Sequence, residues 1–596
     1  MSQENSIKQE TTIKSQSSIV FRCIAVGLGG FLYGYVLSEL TILSGVLNIK
    51  FKDQNFSALQ TGVVGIMSLG AFFICLVSDY LINKYGRRNY IIASDIIFLF
   101  GILVGTALAP IKNISILFVA RFIMGIAIGM NSNVVSMYIR EISPESISGQ
   151  NGSIFQIQIN VGIISGIALN FACDYGKYYV QANLCNQNNN MDNNLQCLQI
   201  EDSYWWVPVI AFPAVFSIIR LTILLLKYKL DTPYYYFSVE KFEEGIQILK
   251  ELYKEKYVLN ECKNILATFP KKVRASYINY RKNNQQQFDE QSNNQEDEVE
   301  CTSQENQKNI DIKSNSNLNY DDDDDYFNEQ NNQYPLEGVD IYSNSQLDCN
   351  YGQDSNEIQE SFTQKTKELK QKSLYKRMRR GMILNLLQQL TGINYVIQYT
   401  CSILNNLLNK NNNNNYFVND KGQQEFFYFY KNSNILTEIV LLTNIFLLMA
   451  AFVGSFLNKS FGRRYYLFGG YLICGFLHCI FAIVSKQSQE GGTFQAIFII
   501  VFVFVFYGTF NCSIGPVTWI YTSDILKGKY LFWSVGCNWF GVFLASLLQF
   551  NDNVSSQWIN FSIFSFFCFA GAAYSYYKII ETEGKRYYQI IKEYAQ

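Results

Sequence analysis

Lys84-Tyr85-Gly86-Arg87-Arg88 separates two apolar runs, at about 57–82 and 89–110, and Ser460-Phe461-Gly462-Arg463-Arg464 separates two more, at about 432–457 and 465–485. Each run is long enough to cross a bilayer as a helix, which takes about 20 residues. A helix satisfies its own backbone groups in lipid, so the Gly and Ser inside these runs do not argue against spanning. Working outward from the two echoes, further runs lie at about 18–40, 114–137, 150–172 and 203–227 in the first half. The second half adds runs at about 378–404, 494–522, 530–549 and 556–579. Six runs on each side of a polar insert, with the same glycine turn and paired arginines recurring at equivalent places, indicate duplicated halves. The fold expected is an all-α membrane protein of twelve transmembrane helices in two six-helix bundles.

Composition agrees. The 596 residues are 49% hydrophobic and 16% aromatic, and only 16% are charged, against about a quarter in soluble domains. Residues 283–364 hold twenty Asp and Glu against Lys308 and Lys313, a net of −18, so the whole-chain charge of −1 leaves +17 for the rest. Soluble enzymes, secreted domains and nucleic-acid binders are poor fits. With the N-terminus inside, the short loops carrying Lys84, Arg87, Arg88 and Lys459, Arg463, Arg464 face the cytoplasm, as the positive-inside rule prefers. Residues 1–17 lack a cleavable signal pattern, so the first run is read as a retained anchor. The resulting plan is a cytoplasmic tail over 1–17, a first bundle over 18–227 and a cytoplasmic loop over 228–377. A second bundle over 378–580 and a cytoplasmic tail over 581–596 follow. Within the loop, Lys241 to Leu266 reads as amphipathic inner helices, and 283–364, with Asp321 to Asp325 and many Asn and Gln, as disordered. That segment either recruits cytoplasmic regulators or is an inert solvated tether.

Most of the 14 Cys sit in the spans as small apolar residues; Cys173, Cys185 and Cys197 fall in or beside one outer loop, where one disulfide would leave one thiol. Asn55-Phe56-Ser57 is a glycosylation sequon in the first outer loop. The sequence contains no CxxC pair and no His/Cys cluster, and its only histidine, His478, lies in an apolar run, where it reads as a core or lipid-facing residue. No metal or cofactor is expected, and no nucleophile–base constellation suggests an enzyme.

Several motifs within this frame resemble those of the sugar porter family of the major facilitator superfamily. Gly29-Gly30-Phe31-Leu32-Tyr33-Gly34-Tyr35 is similar to the family's GGFLFGY, and Arg121-Phe122-Ile123-Met124-Gly125 to its RxxxG. Tyr138-Ile139-Arg140-Glu141-Ile142-Ser143-Pro144 resembles YxxEixP, and Gln388-Gln389-Leu390-Thr391-Gly392-Ile393-Asn394 matches QQLTGIN letter for letter. Gly515-Pro516-Val517-Thr518-Trp519 is similar to GPxxW and is followed by Asn538-Trp539; Glu581-Thr582-Glu583-Gly584-Lys585 looks like the ETKG tail. The resemblance implies the major facilitator fold and a monosaccharide substrate, a hexose such as glucose, moved by alternating access. It implies substrate contacts at Gln388, Gln389 and Asn394, with Gln156 and Trp519, and with Tyr399, Asn511 and Trp539 as neighbours. The chemistry is apt: a hexose presents hydroxyls that donate and accept, and amides answer both without a buried charge. Asn444 is the nearest match to an asparagine of the family's eighth span, three residues too far from Gly462.

By the same resemblance Arg87 and Arg88 pair near Glu141, and Arg463 and Arg464 near Asp524, as gates. The sequence also departs from the pattern. Val36 stands where proton-coupled members have Asp, so Arg121 lacks its usual partner and the simplest expectation is facilitated diffusion. Glu39 lies one turn on, roughly 5 Å along the same helix face, and could serve instead. Ser136 replaces the fourth-span proline, and Asp231-Thr232-Pro233-Tyr234 replaces the PESPR-type run. The expected protein is an integral multi-pass protein of the plasma membrane, with vacuolar or vesicular membranes as alternatives, and with both termini cytoplasmic. The competing readings are a proton-coupled sugar or polyol symporter and a transporter-like sugar receptor that signals through its insert.

Overall fold

The computed structural model describes residues 14–50, 56–111, 113–144, 147, 151–172, 206–266, 269–284, 354–397, 441–454, 462–487, 493–547, 557–585 and 587–595. These residues are almost entirely helical. The first half has α1 (Gln16–Lys50), α2 (Phe56–Tyr85), α3 (Arg87–Thr106), α4 (Ser115–Ile142) and α5 (Ile154–Ala172), then α6 (Trp206–Leu226). Four short helices follow, α7 (Pro233–Ser238), α8 (Phe242–Leu252), α9 (Glu255–Leu266) and α10 (Lys271–Asn283). The second half has α11 (Asp354–Gln389), α12 (Leu441–Gly454), α13 (Arg463–Gln487), α14 (Thr493–Cys512), α15 (Ile514–Ile525), α16 (Lys529–Leu547) and α17 (Gln557–Lys578). The tail ends in α18 (Tyr587–Ala595). Among the described residues, nine stretches are long and apolar enough to span a membrane. With α5, α12 and the apolar end of α11 they fall one to each of the twelve runs, α14 and α15 sharing one. That shared run breaks at Ser513, just before Pro516, and α6 breaks at Phe212 before Pro213; proline cannot donate the helical bond its neighbours need.

The described structure divides into two compact units, Ser17–Lys229 with Lys367–Gln596, and Met1–Gln16 with Leu230–Thr366. The second is built on α7 to α10, whose apolar faces enclose Phe237, Phe242, Ile246, Leu249, Val258, Cys262 and Tyr277. The amphipathic helices read over Lys241 to Leu266 are therefore present as α8 and α9. Residues 285–353 lie outside the described residues, as do Cys173, Cys185, Cys197, Tyr399 and Asn55. Helix α11 starts at Asp354, inside the segment read as disordered from its composition. Strong helix formers with Glu and Lys three or four residues apart, such as Lys365 with Glu368 and Glu368 with Lys372, supply the local preference that composition alone hid.

Glycines decide how closely the spanning helices approach. A Cβ on Gly125 of α4 would collide with the Met67 carbonyl of α2, and one on Gly129 would lie 2.7 Å from Ala71 Cα. This spacing of four lets two backbones touch, as small-xxx-small pairs do in membranes. Gly34 of α1 is pressed in the same way against the Ile159 carbonyl of α5. The two halves meet along α2 and α16: a Cβ on Gly65 would lie 2.9 Å from Ser546 Oγ, and one on Gly536 3.3 Å from Cys75 Cβ. Outward faces carry Phe73, Val77, Ile96, Phe100, Phe476 and Ile483, all exposed, as a lipid-facing surface would be. Gly86 and Gly462 turn the chain at φ 89° and 72°, a left-handed conformation that glycine adopts without a Cβ penalty. The glycine of the repeated motif thus takes positive φ in both halves.

Candidate functional site: an amide chain at a helix break

Helix α11 ends at Gln389, the chain turns through Gly392 at φ 80°, and helix resumes at Ile393. The break folds Asn394 back onto the helix it has just left. Asn394 Nδ2 donates to Gln389 Oε1 at 2.8 Å, and Gln389 Nε2 donates to Asn538 Oδ1 of α16 at 3.0 Å. Asn538 Nδ2 donates to Gln388 Oε1 at 2.6 Å, and Gln388 Nε2 donates to the Gly515 carbonyl at 2.9 Å. Four amides therefore run head to tail and end on a backbone carbonyl. A carbonyl can only accept, so it fixes the orientation of Gln388, and each amide then fixes the next. Such chains polarise one another in a low-dielectric interior. All four are nearly inaccessible, Gln388 and Asn538 at 2% and Gln389 and Asn394 at 6%. The open end of the chain is Asn394.

Three aromatic side chains gather at Trp539, the residue after Asn538. Trp539 follows Asn538 on α16, and its indole N–H donates to Ser132 Oγ of α4 at 3.0 Å, across the two halves. Tyr33 of α1 meets the Trp539 ring edge-on with centroids 4.9 Å apart, and Trp519 of α15 packs on the same cluster. A second line of amides is separate. Gln156 Nε2 donates to Asn160 Oδ1 and Asn160 Nδ2 to Asn511 Oδ1, both at 3.4 Å, joining α5 to α14. Asn511 also donates to the Tyr507 carbonyl at 3.2 Å. The structure thus brings Gln388, Gln389 and Asn394 together and Gln156 and Asn511 together, without a hydrogen bond between the two lines.

The charged candidates fall into two places. Inside the first half, Arg121 Nη2 lies 2.6 Å from Glu39 Oε1, both within 2% of full burial, and Arg121 Nη1 donates to the Val36 carbonyl at 2.9 Å. At the helix ends that carry the glycine turns, Arg87 forks onto Glu141 through Nε and Nη2 at 3.0–3.3 Å. Its neighbour Arg88 donates instead to the carbonyls of Leu224 and Tyr228 at the end of α6. The second half repeats the arrangement. Arg463 Nε lies 2.9 Å from Asp524 Oδ2 and its guanidinium pairs with Glu583, while Arg464 donates to the Tyr576 carbonyl. Glu581 accepts the backbone N–H groups of Arg463 and Arg464 at 2.8 and 3.1 Å, capping α13 with a carboxylate where the helix dipole favours one. One contact at this end crosses between the halves: Arg140 Nη1 donates to the Ser523 carbonyl at 2.8 Å.

The family model described as "Sugar (and other) transporter" matches residues 22–295 and 348–594. This chain is a member of the sugar transporter family. Similar curated proteins include the glucose transporter GlcP of Staphylococcus epidermidis, 33% identical over 161 residues, covering 27% of this chain and 34% of that protein. Hexose transporter 1 of Plasmodium knowlesi is 27% identical over 267 residues, covering 42% of this chain and 50% of that protein. The chain thus spans about a third to a half of the length of these relatives. Among solved structures, the proton:xylose symporter XylE bound to 6-bromo-6-deoxy-D-glucose superposes with a TM-score of 0.62 at 16% identity. That match covers 97% of this chain and 99% of the other, so the fold is that of the major facilitator superfamily.

Within this family member, two residues that link the amides, and a third that braces the first half, do not stand out in the sequence. In the sequence Asn538 stands out only as the neighbour of Trp539, yet it is the link between both glutamines. Asn160 joins Gln156 to Asn511 one helical turn along α5. Arg220 is the third: its guanidinium forks onto Asp95 and donates to Asn131 Oδ1 at 2.8 Å, all of it buried. A Cβ on Gly29 would strike both Arg220 and Asn131, so the first glycine of the GGFLYGY-like motif makes room for this ion pair. An amide three or four residues from another on a spanning helix is the signal that would have found Asn160.

Proposed function

We propose that this protein carries a monosaccharide, a hexose such as glucose, across a membrane by alternating access and facilitated diffusion. The observation that supports the reading most is the oriented amide chain Asn394–Gln389–Asn538–Gln388. It offers paired donors and acceptors to hydroxyls, beside Trp539 and Trp519, whose faces suit the C–H face of a sugar ring. Burying neutral amides avoids the cost of a charge at that depth. Substrate roles for Gln156, Asn511 and Tyr399 belong to the same proposal. The pairs Arg87–Glu141 and Arg463–Asp524 would brace the cytoplasmic end of each half, with Arg140 and Ser523 as the contact that must part when that end opens. Sugar affinity near 1 mM, about −4 kcal/mol, would suffice for a substrate that must also leave. The chain would sit in the plasma membrane with both termini inside, and the acidic insert would be its link to any cytoplasmic regulator.

The Glu39–Arg121 pair favours a second reading, proton-coupled entry. It restores a carboxylate to Arg121 from one turn beyond Val36. Uptake of labelled glucose in sugar-transport-deficient cells, followed to plateau with and without a protonophore, separates the two. We expect the plateau to equal the outside concentration and to ignore the protonophore, and Glu39→Gln to reach the same plateau. Accumulation above the outside concentration that Glu39→Gln abolishes would establish coupling instead. Surface expression without saturable uptake would count against both and in favour of a receptor, whose output should vanish on deletion of 283–364.

A further inference from the structure

The break in α11 leaves backbone groups that a continuous helix would have paired. Thr391 Oγ1 takes the Gln388 carbonyl at 2.7 Å, and the Gly392 N–H takes the Gln389 carbonyl at 3.1 Å. Helix restarts with the Val396 N–H on the Gly392 carbonyl at 2.9 Å, one carbonyl past Thr391. The Thr391 carbonyl is met from another helix: His478 Nε2 of α13 lies 2.9 Å away. A carbonyl only accepts, so Nε2 carries the hydrogen. The ring is fully buried among Phe502, Phe506, Phe561 and Phe564, with centroids 4.6–5.9 Å away. Its Nδ1 has no hydrogen-bond partner among the described residues. The single polar interaction of this imidazole is therefore spent on the turn of the break. Phe564, one of the rings of that cage, also packs on the turn, where a Cβ on Gly392 would lie 2.6 Å from its ring.

We propose that His478 is a positioning residue of the sugar site, clamping the α11 break so that Asn394 stays folded onto Gln389. The inference rests on the reading of the amide chain as the sugar site. The turn spans Leu390–Gly392, and Asn394 reaches Gln389 across it, so the conformation of the turn sets the open end of the amide chain. Without the clamp the Thr391 carbonyl would face a phenylalanine cage, and a buried acceptor left without a donor is unfavourable enough to open the turn. The open end of the amide chain then moves, although no atom of His478 touches substrate.

The test uses the full chain, purified and reconstituted, with His478→Phe, His478→Asn and His478→Gln. Phe fills the cage without a donor, Asn falls short of the carbonyl, and the Gln amide can place an N–H near the position of Nε2. Backbone hydrogen exchange over 390–396 should quicken at least about tenfold in the Phe and Asn variants and return to wild-type rates in Gln, about tenfold corresponding to one lost hydrogen bond. The KM for D-glucose uptake should rise by about the same factor in Phe and Asn, with Vmax per folded molecule near wild type, and be rescued in Gln. A purely structural histidine would lower yield and Vmax and leave KM unchanged. If His478→Phe does not fold, the contrast between Asn and Gln decides. Exchange over 390–396 that is unchanged in Asn, or as fast in Gln as in Asn, overturns the clamp. Should the wild type carry no sugar, the sugar reading fails while the exchange measurement still judges the clamp.

Discussion

Gln388→Ala is expected to lower hexose uptake at low sugar concentration by about a hundredfold, through loss of binding and of site geometry together. The wild-type side chain holds the Gly515 carbonyl with its N–H and receives Asn538 with its oxygen. Alanine removes the fixed end from which the orientation of the whole chain is set. It leaves the buried Asn538 Nδ2 with only its longer 3.3 Å bond to the Asn385 carbonyl, and a buried group that loses a partner costs about 1–3 kcal/mol. A loss of about 2.7 kcal/mol is a hundredfold. The orientation of Asn538, and of Gln389 and Asn394 beyond it, would then rest on that longer bond alone. Initial rates in reconstituted vesicles, normalised to folded protein, check this. A variant within about threefold of wild type would mean that the chain is structural and that sugar binds elsewhere.

Asp95→Ala should have the largest effect on stability. Asp95 receives three hydrogen bonds from Arg220 and one from Ser217 at 3.0 Å, and both members of the pair are inaccessible. Breaking a buried pair from one side leaves the other charge uncompensated and typically costs about 3–5 kcal/mol. The guanidinium cannot swing to solvent, because α1 is pressed against it at Gly29. Replacing both partners by apolar residues of similar bulk, Asp95→Leu with Arg220→Met, should recover most of that loss, since the desolvation of two charges disappears with them. Apparent melting temperatures in detergent measure both. Equal stability of Asp95→Ala and wild type, or a double variant worse than the single one, would show that this pair is not an isolated buried charge pair.

The helices were largely legible because each spanning run is a mostly apolar stretch of fixed minimum length, and lipid leaves the backbone little choice but helix. The glycine turns were legible for a local reason: Gly86 and Gly462 need positive φ, and that requirement shows as a repeated letter. The site was legible where function and local geometry share a motif, as in Gln388 to Asn394, whose Gly392 both breaks α11 and folds Asn394 back. Partners from distant helices were not. Nothing near Arg220 in the sequence points to Asp95, 125 residues earlier, and a lone arginine in an apolar run reads as a span boundary. Asn538 and His478 were hidden for the same reason, since pairing across helices depends on rotation and register that periodicity does not encode. The second arginine of each turn shows the limit well: Arg88 and Arg464 look identical to Arg87 and Arg463 in sequence. They bond backbone carbonyls only because α6 and α17 end beside them.

The central claim is that the buried amide chain recognises the hydroxyls of a hexose, and its most direct test is a comparison of mirror images. Purified protein in liposomes should take up D-glucose saturably, while L-glucose, with the same composition and polarity, should enter no faster than in protein-free vesicles. An oriented chain of donors and acceptors predicts that discrimination. Equal entry of the two enantiomers, or D-glucose flux indistinguishable from empty vesicles, would contradict the account.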